Sequence, residues 1–330
     1  MEGSQMQMQI EKISIMVPCY NEEAALPLFR DELNKMMSEM DSYAFEVILV
    51  DDGSKDQTLS IIRSFSSEDE RYRYLSFSRN FGKEAAMYAA LQASTGDYVV
   101  YMDADLQDPP SMLPQMMALL KEKGVDSVGT RRSNRKGELL LRSFFANAFY
   151  GMMNRISNVR LVPSARDHRL MSRRMANAVL QLCEYNRFSK GMFEWVGFQT
   201  EWISYPNVAR AAGKTKFNFW KLINYSVECI VGFSTAPLTF ASVMGLFLCF
   251  AAFVGIIIVI IRHVMGVDSA FGWASIMCVM LFIGGILEFS IGVLGTYLSK
   301  TYLEVKKRPI YLVKESNIES ASDGEDRHVR

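Results

Sequence analysis

The stretch DYVVYMDADLQDPP, residues 97–110, joins a short apolar run to a cluster of aspartates. The run DYVVYM (97–102) has the length and the Val and Tyr content of a β-strand. Asp103 and Asp105 follow it, so two carboxylates stand where the strand ends. Such polar residues are where chemistry is expected, because parallel α/β sheets bind ligands at the carboxyl ends of their strands.

Four more apolar runs and four helix-like segments alternate around this stretch, from Ile13 to about Gly129. The runs are ISIMV (13–17), FEVILV (45–50), YRYLSF (72–77) and DSVGT (126–130), and the amphipathic segments lie near 22–40, 56–66, 83–94 and 111–123. Val- and Ile-rich runs that alternate with helices predict a mostly parallel sheet with helices on both faces. The expected fold class is therefore α/β.

Two further polar clusters stand at strand ends, PCYNEE (18–23) and DDGS (51–54). In DADLQ, a turn would let Asp103, Asp105 and the side-chain carbonyl of Gln107 converge on one hard divalent cation. Mg²⁺ or Mn²⁺ held by one or two carboxylates keeps positions open for substrate phosphates and neutralises a departing diphosphate. A lone pair of acids is common in loops, but with two other acidic strand ends it predicts a metal and phosphate site.

Signature motifs of other α/β enzymes are absent from the sequence. No G-x-G-x-x-G follows the first run, and neither G-x-x-x-x-G-K-[ST] nor G-x-S-x-G occurs. A Rossmann dehydrogenase and a P-loop enzyme are therefore unsupported, and the three histidines offer no convincing serine triad. Only His168 lies near other polar residues, and we expect it to be packed or exposed rather than a ligand or base.

Charge is balanced overall, but basic residues concentrate in one block. The 330 residues hold 36 Lys and Arg against 36 Asp and Glu, which predicts neither a nucleic acid nor an acidic partner. Between Arg131 and Arg174, eleven Lys and Arg stand against two acids, and their natural partners are phosphates or anionic lipids. The five cysteines lack paired spacing, which fits a reducing compartment.

Two long apolar segments predict a membrane anchor. Leu238–Ile261 and Gly272–Leu298 each exceed the ~20 residues needed to cross the hydrocarbon core. The loop between them is short, and basic residues flank the pair on both sides. Two spans leave both flanks on one side of the membrane, and the positive-inside bias makes that side cytoplasmic.

Two amphipathic stretches and a polar tail complete the expected organisation. Residues 138–157 have helical periodicity, and residues 217–233 have the aromatics and lysines of an interfacial helix. The tail after Val313 is expected to be disordered. The predicted order is an extension (1–12), a cytosolic catalytic domain (13–216), an interfacial helix (217–234), a first span (235–262), an external loop (263–271), a second span (272–299) and a cytosolic tail (300–330).

Four motifs in this order, VPCYNEE (17–23), VDDGSKDQT (50–58), RNFGKEAA (79–86) and DADLQDPP (103–110), carry a family resemblance. The chain resembles the family 2 glycosyltransferases, which have the GT-A fold with a Rossmann-like sheet. Within them it is similar to dolichyl-phosphate mannosyltransferase and to the two-span bactoprenol glucosyltransferases. The resemblance runs from Ile13 to Val313 and includes VGTR (128–131), RLMSRR (169–174), ARAAGKTKF (209–217), GFSTAPL (232–238) and YLEVKKRPIYLV (302–313).

The resemblance implies an inverting transfer of a hexose, glucose first, from a UDP-sugar to polyisoprenyl (undecaprenyl) phosphate at the cytoplasmic membrane face. The lipid-linked sugar would serve cell-surface glycan modification. Alternatives are another sugar, such as N-acetylglucosamine or mannose from GDP-mannose, a lipid acceptor without phosphate, or an inactive membrane scaffold. Polyprenol length and oligomeric state stay open, with a homo-tetramer as an analogy only.

The resemblance also implies roles for individual residues. The nucleotide base and ribose would contact Pro18, Tyr20, Glu22 and Asp52, and the metal (Mg²⁺ or Mn²⁺) and diphosphate would contact Asp103, Asp105 and Gln107. Arg210 and Lys216 would approach the donor diphosphate, Arg131 and Arg142 would grip the acceptor phosphate, and Asp167 would be the catalytic base. An acceptor phosphate ionises near pH ~6 and needs little deprotonation, so we expect Asp167 to position a group instead.

Two positions depart from the family pattern. Ala146 stands where relatives often have Ser, so one hydrogen bond to the acceptor phosphate is expected to be missing or replaced. Thr296 stands near the position of a Glu in many relatives, while Glu288 lies within the second span. An acid inside a span is either functional or a helix-pair contact, and these alternatives stay open.

Overall fold

The structure is a computed structural model that describes residues 10–133, 150–157, 159–206, 227, 229–265 and 272–318. In chain order its elements are β1 (Lys12–Cys19), α1 (Leu26–Ser38), β2 (Ala44–Asp51), α2 (Thr58–Glu68), β3 (Tyr72–Phe77), α3 (Lys83–Ala93), β4 (Tyr98–Tyr101), a 3₁₀ turn (Pro110–Met112), α4 (Leu113–Lys123), β5 (Ser127–Arg132), β6 (Ala165–Ser172), α5 (Arg173–Leu180), α6 (Ser189–Trp195), β7 (Thr200–Tyr205), α7 (Ala236–Val264), α8 (Trp273–Val305) and β8 (Val313–Ser316).

The strands form one sheet in the order β7-β5-β6-β4-β1-β2-β3-β8. The central strands β4, β1, β2 and β3 are parallel, and so are β5 and β7. Strand β6 runs antiparallel to β4 and β5, and β8 runs antiparallel to β3. The predicted α/β class with a mostly parallel sheet is confirmed: among the described strands, β1 to β5 and β7 run in one direction, and β6 and β8 run against them.

Helices cover both faces of the sheet, as the unbroken apolar strands predict. Ile15 and Leu49 lie in a core on one face, where α1, α2 and α4 supply apolar side chains. Met16 and Ile48 lie in a core on the other face, with residues of α3 and α5. Neighbouring strand residues therefore serve opposite cores, and each fully buried aliphatic side chain contributes about 1.5–3 kcal/mol.

All five predicted strands and four predicted helices form. Strand β3 has the predicted bounds, and the other elements differ by a few residues at one end or both. The prediction omitted β6, β7, α5 and α6, whose charged residues interrupt the apolar pattern. Of the amphipathic stretch 138–157, only residues 150–157 are described, and 150–156 are helical. Most of the predicted interfacial helix (217–234) lies outside the described residues. Of its described part, 227 and 229–233 are helical.

The predicted disorder after Val313 is wrong for residues up to 318. This segment forms β8 at the edge of the sheet, and the Arg63 guanidinium contacts the Glu315 carboxylate at 2.5 Å. The Asn317 side chain accepts a 2.6 Å bond from the backbone N–H of Tyr74. Pairing with an exposed edge strand stabilises a four-residue polar strand that its own sequence does not predict.

Helices α7 and α8 form part of a second compact unit, residues 151–159 and 219–308. Segments Ala236–Gly255 and Val279–Val305 are long and apolar enough to cross a membrane, and neither has a buried residue. Phe247 and Leu281 are 66% and 71% exposed. A core helix of a soluble protein would bury such side chains, so these exposed faces fit a lipid environment.

Gly53 is required by the backbone between β2 and α2. Its φ is +65°, and a Cβ there would lie 2.5 Å from the carbonyl carbon of Arg79. Gly124, after α4, has φ +62° but open space around it. We expect Gly124→Ala to lose about 1–2 kcal/mol from the left-handed backbone alone. Gly53→Ala should lose clearly more, because the backbone at Arg79 must move.

Thermal unfolding of the two purified variants in detergent measures this difference. The melting temperature of Gly53→Ala should fall further than that of Gly124→Ala. Equal falls would show that the close approach at Arg79 relaxes without cost.

Candidate active site

The strand order brings four loops to one edge of the sheet. Strands β4, β1 and β2 are adjacent and parallel, so the residues after Cys19, Asp51 and Tyr101 meet there. Strand β6 is antiparallel to β4, and Tyr101 pairs with Arg169. The first residues of β6, including Asp167, therefore lie beside the residues that follow β4.

The loops after β1 and β2 are bonded to each other. The backbone N–H of Asn21 donates to Ser54 Oγ at 3.0 Å, and that of Lys55 donates to Asn21 Oδ1 at 2.9 Å. The N–H of Glu22 donates to Thr58 Oγ1 at 2.8 Å. These bonds hold the loop of the predicted nucleotide contacts in one conformation. The residues of this loop that are predicted to contact the nucleotide are part-exposed: Pro18, Tyr20 and Glu22.

Asp52 shapes the loop that precedes α3. Its buried carboxylate accepts bonds from the backbone N–H groups of Phe81 at 2.6 Å and Gly82 at 3.0 Å. Burial raises the pKa of Asp52 to about 6, against the lowering effect of these two donors. Its neighbour Asp51 accepts bonds from Ser54 N–H and Ser76 Oγ. The predicted contact of Asp52 with the nucleotide stays a prediction.

Lys83, the first residue of α3, joins the two acidic strand ends. Its Nζ lies 2.7 Å from Asp103 Oδ1 and 2.5 Å from Asp167 Oδ2. The side chains of Asp103 and Asp167 are 24% and 25% exposed. Desolvation lowers the pKa of Lys83, but the two carboxylates outweigh it and raise that pKa. The lysine is therefore a permanent cation between two anions.

Lys190 is a second cation beside Asp167. Its Nζ lies 3.6 Å from Asp167 Oδ1 and donates to the carbonyl of Ala165 at 3.0 Å. The Glu84 carboxylate accepts from the N–H of Ser189 and so ties the start of α6 to the start of α3. Desolvation raises the pKa of Asp167, but Lys190 and Lys83 outweigh it and hold that pKa well below its usual range. A carboxylate held in this way is a weak proton acceptor.

A buried ion pair joins the loop after β4 to the start of β6. The Arg166 guanidinium contacts the Asp108 carboxylate at 2.8 Å, and Tyr205 OH donates to the same carboxylate. Desolvation opposes the charge of Asp108, but Arg166 outweighs it and lowers the pKa of that carboxyl. Gln107 Oε1 accepts bonds from Arg132 at 3.3 Å and Arg166 at 3.4 Å. A metal at Gln107 would compete with these two donors.

The remaining predicted residues divide between described and undescribed segments. Arg131 is exposed, and its Nε donates to Ser204 Oγ at 2.8 Å. Arg142, Arg210 and Lys216 lie outside the described residues, as does Ala146. His168 is buried, and neither ring nitrogen has a partner among the described residues, so it is a packed histidine. Burial lowers the pKa of His168 and favours its neutral form.

Three basic site residues were missed by the sequence analysis: Lys83, Lys190 and Arg166. Lys83 lies in the RNFGKEAA motif, but the sequence analysis placed site residues at the acidic strand ends and gave this lysine no role. A search of the polar segment after the third run, which ends β3, would have found it. Lys190 and Arg166 lie on elements that were not predicted, so their position beside the acidic cluster could not be anticipated.

The carboxylate oxygens that follow β4 are suitable ligands for a divalent cation. Asp103 already faces a cation, and Asp105 is buried and accepts from Gln107 N–H at 3.1 Å. No group of three His, Cys, Asp or Glu side chains that could hold a metal occurs among the described residues. Two carboxylates suffice for Mg²⁺ or Mn²⁺ when phosphate oxygens complete the coordination.

Comparison with known proteins identifies the family of the chain. The model of the family "Glycosyl transferase family 2" matches residues 14–179. The chain is 40% identical over 303 residues to a prophage bactoprenol glucosyl transferase homolog of Escherichia coli strain K12, covering 92% of this chain and 98% of that protein. It is also 40% identical over 303 residues to the bactoprenol glucosyl transferase of Shigella phage SfX, covering 92% and 99%.

One of the solved structures to which the chain is similar is glucosyl-3-phosphoglycerate synthase from Mycobacterium tuberculosis, in complex with Mn²⁺, UDP-glucose and phosphoglyceric acid. It is 22% identical, covers 67% of this chain and 78% of its own, and has a TM-score of 0.43.

The raised pKa of Asp52 predicts a pH-dependent stability. The unfolded carboxyl titrates near ~3.9 and the folded one at about 6, so the folded state favours the protonated form. The contribution of this preference to the free energy of unfolding is fully present below pH ~4 and is lost as the pH rises through about 6. The loss is at most about 3 kcal/mol for a shift of this size. Asp52→Asn should remove this component.

Melting temperatures of wild type and Asp52→Asn between pH 4.5 and 7.5 measure the effect, with exposed Asp41→Asn as the matched control. The variant should gain stability relative to wild type as the pH rises, whereas the control should stay parallel to wild type. Parallel curves for Asp52→Asn would contradict the assignment.

Proposed function

Since the chain belongs to glycosyltransferase family 2, we propose that it transfers glucose from UDP-glucose to a polyisoprenyl phosphate at the cytoplasmic membrane face. Relatives named bactoprenol glucosyl transferase, 40% identical over 92% of the chain, support the sugar and the acceptor. The observation that most directly supports anionic substrates for this site is the group of lysines around Asp103 and Asp167.

On the donor side, Asp103 and Asp105, with Gln107, would hold Mg²⁺ or Mn²⁺. The ion would neutralise the negative charge that develops on the departing diphosphate. Pro18, Tyr20, Glu22 and Asp52 would contact the nucleotide, and Arg210 and Lys216 the diphosphate. The hydrogen bonds between the loops after β1 and β2 support this role, because a loop that is already bonded loses less entropy on binding.

On the acceptor side, the main physical difficulty is charge repulsion between two phosphates. Two unit charges ~4 Å apart repel by about 4 kcal/mol at an effective dielectric near 20. Lys83, Lys190 and Arg131 supply cations at the site, and Arg142 would add another. These cations would hold the acceptor phosphate near the donor.

The step proposed is a single displacement with inversion. An acceptor phosphate oxygen attacks the anomeric carbon, the bond from that carbon to the donor diphosphate breaks, and the nucleoside diphosphate leaves with the electron pair. The phosphate is largely ionised near neutral pH, so no strong base is needed. Asp167 would orient Lys83 and Lys190 rather than accept a proton.

The two apolar helices would anchor this site beside its lipid substrate. The acceptor headgroup stays at the bilayer surface, so an anchored enzyme meets it at a raised effective concentration. Basic residues in the last turns of the second helix and after it support a cytoplasmic position of that end: Lys300, Lys306, Lys307 and Arg308.

A panel of labelled UDP-glucose, UDP-N-acetylglucosamine and GDP-mannose with undecaprenyl phosphate tests the function in purified membranes. We expect a lipid-linked product with UDP-glucose and divalent metal. A neutral diacylglycerol acceptor should give none, because it offers no anion to the cations of the site. Absence of a lipid-linked product with every donor would overturn the proposed function.

The positioning role of Asp167 predicts a modest loss in Asp167→Asn. Asparagine keeps the shape but loses the charge that holds two lysines, so kcat should fall about tenfold with an unchanged pH profile. Removal of a general base typically costs 10²–10⁴-fold. A rate–pH profile that follows one ionisation in wild type and loses it in the variant would identify Asp167 as the base instead.

A further inference from the structure

The Lys83 ammonium contacts both oxygens of the Asp103 carboxylate, at 2.7 Å and 2.9 Å. We propose that Lys83 acts as the resident counter-ion of Asp103 and keeps a divalent cation out until the nucleotide diphosphate arrives. The inference rests on the proposed function, since it assigns Asp103 to the donor metal. Lys83 is then a positioning residue that couples metal binding to nucleotide binding.

The backbone of Lys83 is fixed while its side chain is part-exposed. The preceding Gly82 has φ +99°, and its N–H is bound by the buried carboxylate of Asp52. The Lys83 side chain is 42% exposed. A lysine carries three donors on a flexible four-carbon stem, so its Nζ can leave one carboxylate and keep another. Asp167, at 2.5 Å, is the partner that remains.

Electrostatics determines the order of binding. A divalent cation at Asp103 alone would lie beside the Lys83 ammonium and would also displace its contact with the carboxylate. A diphosphate brings negative charge, which offsets this repulsion and offers the ammonium new oxygen partners. The cation and the nucleotide should therefore strengthen each other's binding, and thermodynamic linkage makes the factor the same in both directions.

Direct Mn²⁺ binding tests the inference without sugar transfer. Free Mn²⁺ is measured by electron paramagnetic resonance with the purified full-length protein, with and without UDP. In wild type we expect UDP to tighten Mn²⁺ binding at least about tenfold. In Lys83→Met, Mn²⁺ should bind at least about tenfold more tightly without UDP, and the enhancement by UDP should shrink.

Two further variants control for folding and for loss of any surface charge. Lys83→Arg keeps the cation and should retain weak Mn²⁺ binding without UDP. Lys121→Met removes an exposed lysine that pairs with Glu11 at 2.5 Å, and it should bind Mn²⁺ as wild type does. Melting temperatures confirm that all variants are folded before binding is compared.

The possible failures are distinguishable. If folded Lys83→Met binds Mn²⁺ without UDP as weakly as wild type or more weakly, the counter-ion role is overturned and the proposed function stands. If wild type binds no Mn²⁺ even with UDP, both the metal site and the role of Lys83 fail. If Mn²⁺ and UDP are coupled as expected but no donor yields a lipid-linked sugar, the acceptor assignment fails and the role of Lys83 stands.

Discussion

One ammonium between two carboxylates is the contact on which the site depends. Asp103 follows β4 and Asp167 lies at the start of β6, so the antiparallel pairing of these strands brings two anions together. Lys83 Nζ reaches both, and this single contact removes their repulsion. An exposed ion pair contributes only about 0–1 kcal/mol to stability, so its main consequence is where it places charge.

The position of Lys83 depends in turn on buried groups of β2. Asp52 accepts the backbone N–H groups that precede α3, and Gly53 lets the chain pass within van der Waals distance of Arg79. Burial of the Asp52 carboxylate is unfavourable for its charged form, as its raised pKa indicates. The start of α3 is therefore set by a loop whose conformation depends on a buried carboxylate and on a glycine with positive φ.

The sequence predicts the parts of this molecule that depend on local pattern. The apolar run at 13–17 is a fully buried strand, and the run at 45–50 is buried except for the part-exposed Phe45. The two apolar segments form long exposed helices. Local apolar pattern and length predict all four elements. Strand β6 (ARDHRLMS) escapes such a search, because its buried Arg169 is accommodated by Glu194 rather than by apolar pairing. Contacts across 84 residues, such as Lys83 with Asp167, cannot be inferred from a single chain.

The return of the chain to its own sheet bears on the membrane topology. Strand β7 precedes the two apolar helices and β8 follows them, yet both belong to the same sheet. A sheet cannot have strands on opposite faces of a bilayer, because its backbone pairing would have to cross hydrocarbon. A membrane anchor formed by the helices between β7 and β8 would therefore cross the bilayer an even number of times. Two spans satisfy this requirement, and the ion pair of Arg63 with Glu315 ties the returning end to the proposed catalytic unit.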